Sequence, residues 1–309
     1  MKLVRLPESE YDLIVIDGQH LAYRCFYAQI ALKTSTNIAA GLFYGFLRCV
    51  VNYSREYGKK GSKVVVAWES PSNSPLVRKS ILPSYKGNRK TPQIDFSSQL
   101  EDLKKILTAL GKSQYYSEGY EADDTIYFLA DRYKKLSRDV LIISGDKDMR
   151  QQVCERIGQE GVVHVLTPKT AHKKTDEIFR VDDVCETYDV GEPQQLVAFL
   201  ALVGDKTDSI PRTGRFKEAT AVEFIKHCNR EYAKVGRDPF FPEADFIGSL
   251  LSKEDRKQFL LNYSLIDLSK ILSIHPCPVR RLVGVVNETV AKKLFSKYEV
   301  NKLSIEDFL

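Results

Sequence analysis

Nine carboxylates lie in five separate stretches of this chain: Asp17; Glu69; Glu121 with Asp123 and Asp124; Asp146 with Asp148; and Asp205 with Asp208. Gathered in one place, such groups oppose each other's ionisation, so the arrangement is costly unless cations sit among them. Mg²⁺ removes that cost and prefers oxygen ligands. Nine acids are enough for two ions. Two Mg²⁺ held about 3.5–4 Å apart can serve the attacking water and the leaving oxygen of an in-line phosphoryl displacement. No partnered nucleophile competes with this chemistry. The five histidines (His20, His164, His172, His227 and His275) sit in no recognisable signature with a Ser or Cys.

Whether the acids meet depends on the elements that carry them. Residues 13–16 (Leu-Ile-Val-Ile) run into Asp17, residues 64–67 (Val-Val-Val-Ala) into Trp68-Glu69, and residues 140–143 (Val-Leu-Ile-Ile) into Ser144-Gly145-Asp146. Continuous apolar runs of this kind, separated by helical stretches at about 37–57, 96–110 and 121–136, predict buried parallel strands of an α/β sheet. A further strand is expected at 162–166. Ligands of open parallel sheets bind outside the carboxyl ends of the strands, so Asp17, Glu69, Asp146 and Asp148 are expected along one edge. Glu121-Ala122-Asp123-Asp124 opens a helix, where acids complement the dipole and cap free N–H groups. Glu121 and Asp124 would share a helix face, and the third acid exceeds what capping needs. Gly204–Pro211 follows the apolar helix Leu196–Val203. It reads as a turn, but acids at a helix C-terminus are electrostatically disfavoured, which argues for a further reason.

The stretch 70–95 is long for a connection inside a compact domain and reads as a functional loop or arch. It carries Arg78, Lys79, Lys86, Arg89 and Lys90, which suit phosphates, and Tyr85, which suits a base. After about residue 180 strand signals become sparse, and helices are expected at 192–203, 217–230, 253–266 and 287–297. The reading is therefore an α/β domain over 1–180, with its arch at about 70–115, and a mainly helical region over 181–309. Net charge is +5, so a surface that excludes the acidic cluster is more basic than that figure implies. At 43% hydrophobic and 28% charged the chain is of ordinary globular composition. No apolar run spans a membrane and Met1–Tyr11 has no apolar signal core, so a cytoplasmic location is expected. The six cysteines form no CxxC pair, which fits free thiols in a reducing compartment.

Tyr85-Lys-Gly-Asn-Arg89, Tyr120-Glu-Ala-Asp-Asp124, Ser144-Gly-Asp-Lys-Asp148 and Gly204-Asp-Lys-Thr-Asp208 stand in the order and spacing of one family. Over most of residues 12–265 the chain resembles the 5′ nucleases, or flap endonucleases, of phages and bacteria. It looks closest to the stand-alone phage members, including the phage ribonuclease H that removes RNA primers. The resemblance implies a PIN-like (resolvase-like) fold: a mainly parallel sheet flanked by helices, with a helical arch and a helix-hairpin-helix-like element in the C-terminal region. It implies metal roles for Asp17, Glu121, Asp123, Asp124, Asp146, Asp148, Asp205 and Asp208. Lys86 and Arg89 would contact the scissile phosphate from the base of the arch, and Tyr85 would pack or stack near the terminal nucleotide. Mg²⁺ is the implied cofactor, two ions with Mn²⁺ able to substitute. Branched or 5′-ended DNA and RNA–DNA duplex are the implied partners, with a single-stranded-DNA-binding protein or sliding clamp beside them and no oligomer expected.

Two departures stand out. The family usually has Asp after its second strand, whereas Glu69 here keeps the carboxylate on a stem one methylene longer. The family's hairpin carries a Gly-x-Gly turn that binds duplex DNA and often K⁺, and residues 211–220 lack it. Arg212, Arg215 and Lys217 would replace its contacts through charge, and the case for K⁺ is weakened. The lead reading is a structure-specific 5′ nuclease, a hydrolase of phosphodiester bonds. The alternatives are a PIN-type ribonuclease acting on single-stranded RNA, and a non-catalytic protein that binds branched DNA.

Overall fold

The computed structural model describes residues 11–71, 74–87, 94–169, 175–239, 242–274 and 278–308. Seven strands form one sheet: β1 (Tyr11–Asp17), β2 (Gly58–Ala67), β3 (Gln114–Ser117), β4 (Val140–Ile143), β5 (Val163–Thr167), β6 (Glu177–Phe179) and β7 (Val279–Leu282). Their order is β6-β5-β4-β1-β2-β3-β7. The five inner strands run parallel, and β6 and β7 close the two ends antiparallel. This is the mainly parallel, helix-flanked sheet that the apolar runs predict.

The runs are apolar throughout because both faces of the sheet are buried. Along β1, Ile14 and Ile16 face one core, whereas Leu13 and Val15 face the other. The first face is covered by α1 (Gly18–Ala28), α2 (Gly41–Tyr57), α4 (Ile94–Ala109) and α12 (Glu288–Lys297). The second is covered by α5 (Ala122–Lys135), the 3-10 turn Lys147–Gln152 and α6 (Val181–Tyr188). Between β2 and α4 lies the short α3 (Val77–Ile81). A third core joins α7 (Gln195–Val203), α8 (Glu218–Lys234), α9 (Ala244–Ser249) and α10 (Lys253–Ile266), and α11 (Leu268–Ile274) leads back towards the sheet.

Two expectations need correction. The stretch 70–95 is not all loop: α3 lies within it and α4 begins at Ile94. Residue 180 is not a clean division either, because β7 pairs with β3 and α12 packs into the first core, where Tyr298 stacks on Phe43 at 4.0 Å. The strand escaped notice because an edge strand open on both faces needs no apolar run, and Val279-Arg280-Arg281-Leu282 has none. The helix α1, unforeseen, starts directly after Asp17, with the side chain of Asp17 as its cap.

Candidate active site

The carboxyl ends of β1 and β4 are tied together. Asp17 accepts from the His20 amide through Oδ1 (3.0 Å) and from the Ser144 hydroxyl through Oδ2 (2.8 Å). The Ser144 oxygen accepts in turn from the Asp146 amide at 3.1 Å. Asp146 then caps the 3-10 turn, its Oδ1 accepting from the Asp148 amide at 3.0 Å. A Cβ at Gly145 would stand 2.4 Å from the His20 ring, so a larger residue there would displace that ring. Ser144 opens the motif Ser144-Gly-Asp-Lys-Asp148 with no expected role of its own, and a lone His after a strand, as His20 is, carries no distinguishing signal.

The acids at the start of α5 divide between two environments. Asp124, fully buried, receives the Arg78 guanidinium as a fork at 2.6 and 2.9 Å and accepts from the Glu121 amide at 3.0 Å. Arg78 Nη1 also stands 3.0 Å from Glu121, and its Nε donates to the Leu265 carbonyl. Tyr85 donates to Glu121 at 2.7 Å and to Asp208 at 3.2 Å, and the Lys86 ammonium pairs with Glu121. Burial alone would raise the Glu121 carboxyl, but Arg78 and Lys86 outweigh it and hold it below the usual range. Among the described residues Asp123 has no such cation fork. Burial pushes its carboxyl well up, and Asp146, Glu121 and Asp17 add to that, with Lys86 opposing.

The same pattern continues at β4. Asp148 is pushed well up by burial and by Asp146, with Asp205 and Asp208 adding, and its Oδ1 is buried without a hydrogen-bond partner. Lys147, between the two acids of its own turn, instead reaches Asp205 at 2.9 Å. Burial would raise Asp205, but Lys147 brings it below the usual range. The loop after α7 is thereby pinned to the sheet. Its Asp208 carbonyl also accepts from the Lys86 amide at 3.0 Å. Glu69, at the end of β2, accepts from the Ala122 amide at 3.3 Å. Lys86 feels all four surrounding acids: burial opposes its charge, while Glu121, Asp123, Glu69 and Asp208 outweigh burial and keep the ammonium protonated.

The acids are thus brought towards the carboxyl end of the sheet from the ends of β1 and β2, the start of α5, the turn after β4 and the loop after α7, with Asp124 taken up by Arg78. Among the described residues no three His, Cys, Asp or Glu side chains stand close enough to hold an ion as placed. The donor chemistry nevertheless suits a hard cation: every candidate donor is a carboxylate oxygen, and the Asp148 Oδ1 is a buried acceptor without a donor.

Two expectations for nucleic-acid contact are corrected here. Arg78 and Tyr85, 4% and 3% exposed, are turned inward onto carboxylates and offer no face to a phosphate or base. The physical reason is the local excess of buried negative charge, which draws the nearest donors inward. Lys86 is likewise buried, but directly among the acids. Lys79 is exposed, and Arg89 and Lys90 lie outside the described residues. Arg212, Arg215 and Lys217 are exposed on the loop between α7 and α8. Arg212 and Lys217, with Lys147 and Lys206, line a cleft of about 510 Å³ beside Asp205.

The model of the 5′-3′ exonuclease N-terminal resolvase-like domain matches residues 12–189. The 5′-3′ exonuclease of Aquifex aeolicus is 31% identical over 268 residues, which are 85% of this chain and 83% of that protein. DNA polymerase I of Caldicellulosiruptor bescii is 32% identical over 245 residues, covering 74% of this chain. The match takes in only 28% of that polymerase's own length. In fold the chain is similar to the phage T5 D15 protein co-crystallised with metal ions (TM-score 0.62, 17% identity, 93% of this chain and 98% of that one). It is also similar to flap endonuclease-1 from Methanococcus jannaschii (TM-score 0.53, 12% identity, 95% and 94%).

Proposed function

The chain belongs to the 5′-3′ exonuclease family, and on that premise we propose that it is a Mg²⁺-dependent nuclease acting at 5′ flaps and 5′ ends. Its substrates are duplex DNA and RNA–DNA, and its work is the removal of RNA primers or flaps during replication. One observation supports this reading: Asp146 raises the carboxyls of both Asp123 and Asp148, Asp17 adds to the effect on Asp123, and the Asp148 Oδ1 is buried without a hydrogen-bond partner among the described residues. The crystallised T5 D15 flap endonuclease, with DNA and metal ions in its complex, supports it by likeness of fold.

Asp17, Asp123, Asp146 and Asp148 would hold the ions, with Glu69, Glu121, Asp205 and Asp208 around them. When bound, two Mg²⁺ supply the positive charge that an in-line displacement needs at its attacking and leaving oxygens. Lys86 keeps its proton beside Glu121 and so faces the charge that grows on the scissile phosphate. Arg78 holds Glu121 and Asp124 in place and acts as a positioning residue, as does Asp124 through it. The cations of the cleft beside Asp205 neutralise the phosphates of the bound strand.

A 5′-flap duplex labelled at each end in turn tests the proposal. Mg²⁺ is expected to give product from the 5′ side, Asp146→Asn none. Activity surviving in EDTA would overturn metal dependence. Preference for single-stranded RNA over the flap would favour the PIN-type ribonuclease instead.

A further inference from the structure

Strand β7 ends the sheet, with β3 on one side and no strand on the other among the described residues. The chain after it carries an apolar surface that no core absorbs. Leu282, Val283, Val285, Val286 and Val290 are 44%, 55%, 66%, 46% and 37% exposed. Scattered exposed apolar residues are ordinary, but five within nine residues form a patch of the kind that marks an interaction site. The segment is rigidly seated. Gly284 lies so close to Gly111 that a Cβ would stand 2.2 Å from its carbonyl carbon, and the Val285 and Asn287 amides donate to the Thr108 and Ala109 carbonyls at the end of α4.

The charge around this patch decides what it fits. Residues 279–293 contain Arg280, Arg281, Lys292 and Lys293 against the single acid Glu288, which already pairs with Lys292 at 2.8 Å. A second copy docking edge to edge through β7 would bring Arg280 and Arg281 against their own counterparts, which opposes self-association. A nucleic acid would satisfy the arginines but leave the valines against phosphates and water. A peptide that alternates apolar and acidic residues satisfies both, and an open strand edge accepts such a peptide as an added strand.

We infer that the outer edge of β7, with the valines that follow it, docks an extended acidic–apolar segment of a partner protein by strand addition. The surface is separate from the carboxylate site, so the inference does not depend on the function proposed above. The test uses the full chain and a short labelled peptide alternating valine with aspartate. Saturable binding is expected, weakened about tenfold or more by Val283→Glu with Val285→Glu, while nuclease activity and melting temperature stay those of the parent. Arg280→Glu is expected to reverse the preference towards a peptide with lysine in place of aspartate. Methylating alternate backbone nitrogens of the peptide abolishes binding if a strand is added. Equal binding of the methylated peptide, or no saturation by the unmethylated one, overturns the inference. So does concentration-dependent dimerisation that the valine substitutions abolish, or a loss of flap-DNA affinity in the same variants.

Discussion

The two ends of the sheet hold carboxylates in opposite states. At the amino end, Asp12 and Asp139 flank the starts of β1 and β4 and are fully engaged. Lys59 bridges them at 3.0 and 3.1 Å, Arg156 reaches Asp139 at 2.6 Å, and Arg138 reaches Asp12 at 3.3 Å. Backbone amides donate to them as well, that of Asp139 to the Asp12 oxygen that also takes Lys59 and that of Val162 to the Asp139 oxygen that also takes Arg156. At the carboxyl end Asp123 and Asp148 face Asp146 instead, and burial with like charge pushes both upward. Carboxylates of one sort stabilise the strand starts; those of the other are held against their own repulsion by the rest of the fold. Charge at the amino end is structural, whereas charge at the carboxyl end suits a cation that is not part of the chain.

The sharpest way to break the comparison is to neutralise one acid at each end. Asp146→Asn should cut cleavage by about 10³-fold or more, the scale for losing a charge aimed at the reaction, while the protein stays folded. Cleavage within tenfold of the parent, read in single-turnover assays, would place the chemistry elsewhere. Arg78→Met should cost about 3–5 kcal/mol of stability in urea, because it leaves the buried Asp124 unpaired. A loss under about 1 kcal/mol would mean that the pair contributes no more than an exposed ion pair. Asp139→Asn should cost about 1–2 kcal/mol and leave cleavage untouched, since its partners are a backbone amide and half-exposed cations.

Smaller effects sharpen the contrast. In EDTA, Asp148→Asn should stabilise the protein by roughly 1 kcal/mol by relieving its repulsion with Asp146, and added Mg²⁺ should raise the melting temperature of the parent more than that of the variant. An unchanged or lower stability in EDTA would show that the acids do not oppose one another. At the amino end, burial would raise Asp12, but the Asp139 amide and Lys59 outweigh it and lower it below 3.8. The folded state then binds fewer protons than the unfolded chain. Its contribution is fully present above 3.8 and is lost as pH falls through the folded value. Melting curves of Asp12→Asn should therefore converge on those of the parent in acid, and a constant gap down to pH 2 would contradict it.

Much of the candidate site was legible because its acids are fixed by short-range rules. Apolar runs buried on both faces read as parallel strands, ligands of such sheets bind outside their carboxyl ends, and Asp17, Glu69, Asp146 and Asp148 stand at those ends by adjacency. Glu121, Asp123 and Asp124 open α5 as expected, but the pairing of Glu121 and Asp124 with Arg78 was not legible. It depends on Arg78, 46 residues away from Asp124 along the chain. Nor was the inward turn of Tyr85, whose partners Glu121 and Asp208 are 36 and 123 residues distant. Composition marked Arg78 and Tyr85 as phosphate and base contacts, and burial gave them other partners.

By itself, then, the sequence determined the residue types, the strand ends that bear them and the parallel core between. Only the tertiary structure decided which acids receive a cation, how β7 and α12 return to the sheet, and which valines are left outside. The physical reason is the same in each case: apolar periodicity is written in neighbouring residues, whereas pairing of buried charge and covering of an edge depend on which distant segments arrive.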